Sequence, residues 1–154
     1  MSYTDFLAAC AEIDRSGEGD FSGPRGEDVI ALAEERIGYR FPPTYRDFLL
    51  RYGCGDIRGQ EFYGITRNGL DGTSIPNAVW YTLNQRQEWD FPHHLFVVYE
   101  LGDGSLSCID FSQRRADGEC PVVIWHPTSQ AGDRLEIEAE DFGQFLRFKV
   151  CDEE

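Results

Sequence analysis

The clearest pattern of hydrophobic and polar positions in this chain lies in the segment Gly38–Gly55. Pro43 suits the first turn of a helix, because its missing N–H needs no partner there, and Gly53 suits the end of that helix. A helix this short is marginal by itself, so we expect its apolar face to dock on the rest of the chain. That face is marked at i, i+3, i+4 and i+7 by Tyr45, Phe48, Leu49 and Tyr52.

Two helices are predicted before this segment. The first covers Tyr3–Ile13, with an apolar face made of Phe6, Leu7 and Cys10. The second covers Glu27–Ile37, and acidic residues crowd its first turn, where the helix dipole favours them. Its apolar stripe is Val29, Leu32, Ala33 and Ile37. The polar, glycine-rich stretch Arg15–Gly26 between them is expected to be a loop that Phe21 anchors to the core.

Two more helices are predicted after it. Ser74 is the expected N-cap and Pro76 a first-turn residue of a helix that runs to Arg86. Its packing residues are Val79, Trp80 and Leu83. The last helix covers Asp141–Val150 and turns inward Phe142, Phe145 and Leu146.

Runs of apolar residues with turn signals between them predict the strands. Gly102-Asp103-Gly104 is a hairpin signal, and apolar residues on both faces of the returning strand indicate a central position in the sheet. In the last strand, Leu135 and Ile137 alternate with acids, which predicts one wet face. The predicted strands are Glu61–Thr66 (with Phe62 and Ile65 buried), Leu95–Leu101, Ser105–Phe111, Val122–Trp125 and Leu135–Glu138.

The order of these elements predicts an α+β fold, with a largely antiparallel (mixed) sheet and helices packed around it. A length of 154 residues suits one domain, residues 1–154. Residues 1–25 carry the weakest signals, and residues 152–154 form an acidic tail. The predicted core includes Phe41, Tyr45, Phe48, Leu49, Trp80, Val97, Ile109, Val123, Trp125, Phe142 and Phe145.

Charge narrows the possible partners. The formal net charge is −14, from 28 acidic and 14 basic residues. This charge repels phosphate backbones, so no direct binding of nucleic acid is expected. It favours solubility, a monomer when free, and fast encounter with a basic partner. Plain solubility remains the alternative explanation of the same charge.

The cysteines and the N-terminus bear on the compartment. The five cysteines form no Cys-x-x-Cys pair, which favours free thiols in a reducing environment over a disulfide framework. No basic region followed by an apolar run marks a signal peptide, and no apolar stretch approaches the length that spans a bilayer. These features predict a cytoplasmic protein without a membrane anchor.

Candidate catalytic and metal-binding groups are few. His93 and His94 are adjacent, which is poor metal geometry, and no cysteine, histidine and acid spacing matches a zinc site. Cys54 stands between two glycines and is the one cysteine expected at the surface, but no base accompanies it. Carboxylate pairs carry no signal in a chain this acidic. We therefore expect no enzyme activity, no cofactor and no metal, and a small hydrolase is the weakest of the alternatives.

Four blocks of sequence carry a resemblance to a known family. They are Ala33–Gly38 running into Phe41-Pro42-Pro43-x-Tyr45-Arg46-x-Phe48-Leu49; Tyr52-Gly53-x-Gly55; Val97-Val98 with Leu106–Asp110 and Asp117–Trp125; and Asp141-Phe142-x-x-Phe145-Leu146. In this order they resemble the SUKH superfamily, which includes yeast cell-wall-assembly regulators and many bacterial immunity proteins. The run Asp117–Trp125 is most similar to YobK-like immunity proteins. Two features depart from the family: many members have Asn-Gly where this chain has Gly53-Cys54, and residues 1–25 match nothing in it.

The resemblance implies a SUKH-like fold and a non-catalytic immunity protein that neutralises a co-encoded toxin domain, often a nuclease, inside the producing cell. The alternative is an intracellular scaffold or regulatory interaction module. The expected partner is basic, because an acidic protein can cover the basic cleft of a nuclease. The candidate partner-binding residues are Asp56, Glu100, Asp103, Asp110, Glu136 and Glu138, with neighbouring acids Glu140 and Asp141, and Tyr63 and Trp89 as exposed aromatic anchors.

Overall fold

The computed structural model describes residues 2–71, 77–130 and 132–151. Within them the chain has an α+β fold, as the order of elements predicts, and its strands form two antiparallel sheets. The helices are α1 (Ser2–Ser16), α2 (Glu27–Ile37), α3 (Pro43–Arg51), α4 (Ala78–Glu88) and α5 (Phe142–Cys151). The strands are β1 (Gly19–Phe21), β2 (Gly55–Ile57), β3 (Gln60–Phe62), β4 (Leu95–Glu100), β5 (Leu106–Asp110), β6 (Val122–Trp125) and β7 (Glu136–Ala139).

Helix α3 docks its aromatic face on the core, as its periodicity predicts. Pro43 occupies its first turn and Gly53 follows its end with a positive φ of 74°. The rings of Tyr45 and Phe48 are fully buried and lie 4.9 Å and 5.3 Å from the ring of Phe142 on α5, measured between centroids. The Tyr45 hydroxyl donates to the carbonyl of Tyr63 at 2.9 Å, which satisfies its buried polar end.

The larger sheet has the order β4-β5-β6-β7. Strand β5 is therefore central, as predicted, and all of its residues are buried. One face of this sheet packs on α3 through Phe96, whose ring lies 5.5 Å from that of Tyr45. Along the open edge of β4, the Val97 N–H donates to the Thr82 hydroxyl of α4 at 3.0 Å. Helix α3 thus covers one face of the sheet, and α4 is bonded to its β4 edge.

The smaller sheet, of order β1-β2-β3, corrects two predictions. The stretch Arg15–Gly26, predicted to be a loop, contains β1. The strand predicted at Glu61–Thr66 is the shorter β3, which forms a hairpin with β2. Three-residue strands are too short for alternation to show in sequence. Buried Gly64 follows β3 and approaches Gly53 so closely that a Cβ would lie 1.8 Å from the Gly53 carbonyl oxygen. The predicted burial of Phe62 and Ile65 is confirmed.

Three helix faces were predicted correctly only in part. Leu7 is 48% exposed, because α1 buries Phe6, Ala9, Cys10 and Ile13 instead. Leu32 is 42% exposed, because α2 buries Ile30, Ala33 and Ile37. Trp80, predicted to lie in the core, is only half-buried, because α4 buries Ala78, Val79, Thr82 and Gln85. The other predicted core residues are buried.

Helix α4 begins later than predicted and has Asn77 as its N-cap. Ser74 and Pro76 lie outside the described residues. Within them, α4 begins at Ala78, and the side chain of Asn77 accepts a hydrogen bond from Trp80 N at 3.1 Å. Asparagine is one of the preferred N-cap residues. The sequence therefore contained a signal for the true start of α4, although Asn77 falls inside the predicted helix.

Strand β7 presents its apolar residue to solvent, contrary to prediction. Val122 pairs with Ala139 and Val123 pairs with Ile137, so Glu138 is an extra residue that bulges from the strand. Ala139 is buried, whereas Ile137 is 55% exposed. Glu138 is half-buried, and its carboxylate accepts from the Ser107 hydroxyl at 2.7 Å. The simple alternation of β7 is broken by this bulge.

Candidate partner-binding surface

Acidic side chains stand directly opposite one another across the smaller sheet. Asp20 of β1 is paired with Asp56 of β2, and Asp56 is paired in turn with Glu61 of β3. Opposed positions of an antiparallel sheet share one face, and like charges placed this way are destabilising. All three residues are exposed. The fold therefore retains a local repulsion at the surface where neutral residues would serve the strands better.

Glu100 extends this line of charge onto the larger sheet. The pKa of Glu61 is raised by partial burial first, and then by the charges of Asp56 and Glu100. Glu100 ends β4, and its carboxylate lies 3.5 Å from the Tyr63 hydroxyl. We refer to Asp20, Asp56, Glu61 and Glu100 as the acidic row. Each of them carries a carboxylate that a partner could contact from solvent.

The acidic row has no basic counterpart within the described residues. Arg58, in the turn between β2 and β3, pairs with Glu12 at 2.8 Å and Glu18 at 2.5 Å. No lysine or arginine in the described part of the chain forms an ion pair with a member of the row. The negative charge of this face therefore reaches solvent uncompensated, and it would attract a basic protein surface.

An exposed aromatic residue adjoins the row. Trp89, at the end of α4, is 56% exposed, and it lines a shallow hollow of about 190 Å³ together with Glu100, Tyr81 and Trp125. Burial of a tryptophan of this kind is a common source of binding energy at protein interfaces. The predicted exposure of Trp89 is confirmed, and the structure brings it together with Glu100.

The second predicted anchor, Tyr63, is not exposed. Only 2% of its surface reaches solvent, and burial raises the pKa of its hydroxyl. Its backbone N–H donates to the carbonyl of Val98 at 2.9 Å, which links β3 to the edge of β4. Buried Tyr63 therefore donates a hydrogen bond to the Glu100 carboxylate. Its prediction as an exposed contact residue was wrong.

The remaining predicted acids divide into exposed and structural ones. Asp103 is exposed at the hairpin tip, and hydrogen bonds from the Ser105 hydroxyl and backbone lower the pKa of its carboxyl. Glu136 and Glu140 are also exposed. Asp110, predicted as a surface acid, is buried and accepts from Ser112 N at 3.0 Å.

Two acids near the last strand and helix are held in structural contacts. Glu138 pairs with Lys149 at 3.3 Å in addition to its bond with Ser107. Asp141 is buried and accepts from Gln144 N at 2.9 Å, in the first turn of α5. These contacts leave the two carboxylates with little capacity for a partner.

Sequence analysis missed Asp20 and Glu61. Neither residue belongs to a motif, and their significance comes only from strand pairing. A signal existed in the acids on either side of the Arg58-Gly59 turn, since a hairpin there places Asp56 and Glu61 opposite one another. The three-residue strands concealed that hairpin.

Four of the five thiols are buried, which suppresses their reactivity. Cys54, predicted to be the exposed cysteine, is buried. Burial raises the pKa of Cys10, Cys54 and Cys108, and raises that of Cys120 to about 11. A thiol is a weak nucleophile unless it is deprotonated. Within the described residues there is also no group of three or more histidine, cysteine or acidic side chains that could hold a metal ion.

Most of the chain matches the model of one known protein family. A family model described as SUKH_6, SMI1-KNR4 cell-wall, matches residues 27–146, which is most of the chain and includes β2, β3, β4 and α4. The match covers three of the four acidic-row residues and Trp89, but not Asp20. In the described residues, no helix is both long and apolar enough to cross a membrane.

Proposed function

The chain belongs to the SUKH family, and from this membership we propose that it is an immunity protein that binds and neutralises a co-encoded toxin domain. Proteins of the family are generally non-catalytic immunity proteins. The toxin domain would be basic, a nuclease being the best fit, and the encounter would take place in the cytoplasm of the producing cell. A YobK-like subtype remains a prediction from Asp117–Trp125.

The acidic row is the observation that carries this proposal. Its carboxylates face solvent without basic partners among the described residues, and their alignment opposes folding stability. A basic nuclease cleft would relieve that repulsion on binding. Such complementarity increases the association rate and orients the two proteins. The overall charge of −14 acts in the same direction over a longer range.

Trp89 would supply affinity where the row supplies orientation. Interfaces derive most of their binding energy from a few anchors, among which tryptophan is enriched. Trp89 and Glu100 line the same hollow, so one contact could bury the indole and pair the carboxylate. We expect Trp89→Ala to increase the dissociation rate with little change in the association rate.

The test is co-expression with the C-terminal domain of a toxin encoded beside the gene. The immunity role predicts that the two proteins co-purify, that the toxin is inactive in the complex, and that cells survive. Leu32→Ala, at an exposed apolar residue on α2, is a matched control for Trp89→Ala and should leave survival unchanged. If no neighbouring toxin binds or is inhibited, the immunity role is wrong and the scaffold alternative is favoured.

A further inference from the structure

The larger sheet has an uncovered region at its β7 side. Val97, Cys108, Val123 and Ile137 occupy paired positions across the four strands, and the first three are buried while Ile137 is exposed. The cover on this face therefore ends before β7. The space left there is a groove of about 1020 Å³, which we call the sheet groove.

Two loops and the sheet surround the sheet groove. Residues 90, 92 and 94 contribute one side, from the connection between α4 and β4. Residues 129, 130 and 132–135 contribute the other, from the connection between β6 and β7. Apolar surface is supplied by Trp125, Leu135 and Ile137. The aliphatic part of a ligand could pack against this surface.

Asp110 places a buried carboxylate in the groove. One of its oxygens accepts from Ser112 N at 3.0 Å and from the Ser112 hydroxyl at 2.6 Å, and the other accepts from Gln113 Nε2 at 2.8 Å. All of these donors are neutral. His94 Nε2 is 3.9 Å away, and no lysine or arginine of the described residues forms an ion pair with Asp110.

The charge of the lining is also negative as a whole. Four carboxylates, those of Asp90, Asp110, Asp133 and Glu136, line the groove, against the single guanidinium of Arg134. An anionic ligand would meet repulsion here. A cation with an apolar stem matches both the charge and the exposed isoleucine.

We propose that the sheet groove accepts an arginine side chain of the partner protein, with its guanidinium at Asp110 and its methylenes against Ile137. Arginine fits better than lysine because its guanidinium is planar and more weakly hydrated, which suits a carboxylate that is already shielded from water. This proposal rests on the proposed function, since it names where the toxin domain would dock.

Continuity supports the same occupant. Trp125 lines both the sheet groove and the hollow that contains Trp89 and Glu100. Glu100, Leu106 and Trp125 also occupy paired positions across β4, β5 and β6, so they share one face. A partner on the acidic row would therefore reach the groove without leaving this surface.

The experiment uses the whole chain and a blocked peptide, without any toxin. Acetyl-Leu-Arg-Leu-amide is titrated into isotope-labelled protein and followed by NMR, with the matching Leu-Gln-Leu peptide as its control. We expect shifts at the Trp125 indole, at Ile137 and at the backbone of residues 110–113 with the arginine peptide alone. Ile137→Lys should weaken binding about tenfold or more, since its ammonium opposes the bound cation. Leu32→Lys, an exposed leucine on α2, should leave it unchanged.

The outcomes separate the two proposals. Equal binding of both peptides, shifts elsewhere, or an equal loss in Leu32→Lys would overturn the arginine site. Normal toxin binding by Ile137→Lys would also overturn it while leaving the immunity role intact. A toxin that never binds would refute the immunity role, and the peptide titration would still decide what the groove accepts.

Discussion

The carboxylate of Glu119 caps helix α3 from 75 residues further along the chain. It accepts from Thr44 N at 3.0 Å and from the Thr44 hydroxyl at 2.9 Å, and that hydroxyl accepts from Gly143 N at 3.1 Å. The N-cap residue itself, Pro42, offers no side-chain hydrogen bond. Glu119 therefore supplies the missing cap and joins α3 to the first turns of α5.

This contact makes folding stability depend on pH. Burial raises the pKa of Glu119 from 4.5 to about 7, against the opposing effect of the Thr44 hydrogen bonds. Because the folded state holds this proton more tightly than the unfolded state, stability should fall as pH rises from about 4.5 to about 7, and then level off. We expect the titration of Glu119 to lower the free energy of unfolding by about 3 kcal/mol across this window.

Glu119→Gln isolates the effect, because glutamine is neutral and can still accept from Thr44 N. Urea unfolding from pH 4.5 to 8 should show the free energy of the wild type falling relative to the variant across that window. Both proteins share every other carboxylate, so the difference between the two curves isolates the effect of the substitution at Glu119. Parallel curves would show that its pKa is not raised by folding.

Phe48 tests the central packing element. Its ring is fully buried and lies within 6.3 Å of the rings of Phe62 and Phe142. Phe48→Ala should lower the free energy of unfolding by about 3–5 kcal/mol, through lost burial and the cavity left behind. Phe148→Ala, at a half-exposed ring on α5, is the matched control and should cost much less. Similar losses in both variants would contradict the described core.

Asp56 tests the repulsion within the acidic row. Asp56→Thr removes the middle charge between Asp20 and Glu61 and supplies a residue that favours strands. It should raise the free energy of unfolding by about 0.2–1 kcal/mol, as measured by urea denaturation. Asp28→Thr, which removes an exposed acid from the first turn of α2, should instead be neutral or destabilising. A loss of stability in Asp56→Thr would refute the repulsion.

The thiols offer a check on burial and redox state. In denatured protein purified without oxidation, a colorimetric thiol reagent should find all five cysteines. In native protein, half-buried Cys151 should react first, and Cys108 should react only on unfolding, because it is fully buried and its pKa is raised. Fewer than five thiols in the denatured protein would contradict the expected reducing compartment.

Local pattern predicted most of the fold, since α3 and the strands from Leu95 to Trp125 have clear periodicity and turn signals. It failed where tertiary structure overrides local spacing. Ile137 is exposed because the cover on its face of the sheet ends before β7, and the pairing of β1 to β3 depends on strands too short to show alternation. The candidate surface was predicted in part. Asp56, Glu100 and Trp89 do come together, whereas Asp20 and Glu61 enter only through strand register.

The central claim is that the acidic row steers a basic toxin domain to this protein. The most direct measurement is the association rate of purified toxin domain by stopped flow, as a function of salt, for wild type, Asp56→Lys and Glu35→Lys. Glu35 is exposed on α2. Both substitutions replace a carboxylate with an ammonium group, so they change the net charge equally. We predict that the wild-type rate falls about tenfold between roughly 0.01 M and 0.5 M salt. Asp56→Lys should be slower at low salt and less sensitive to salt, whereas Glu35→Lys should follow the wild type. Equal rates for the two variants, or a rate indifferent to salt, would contradict the account.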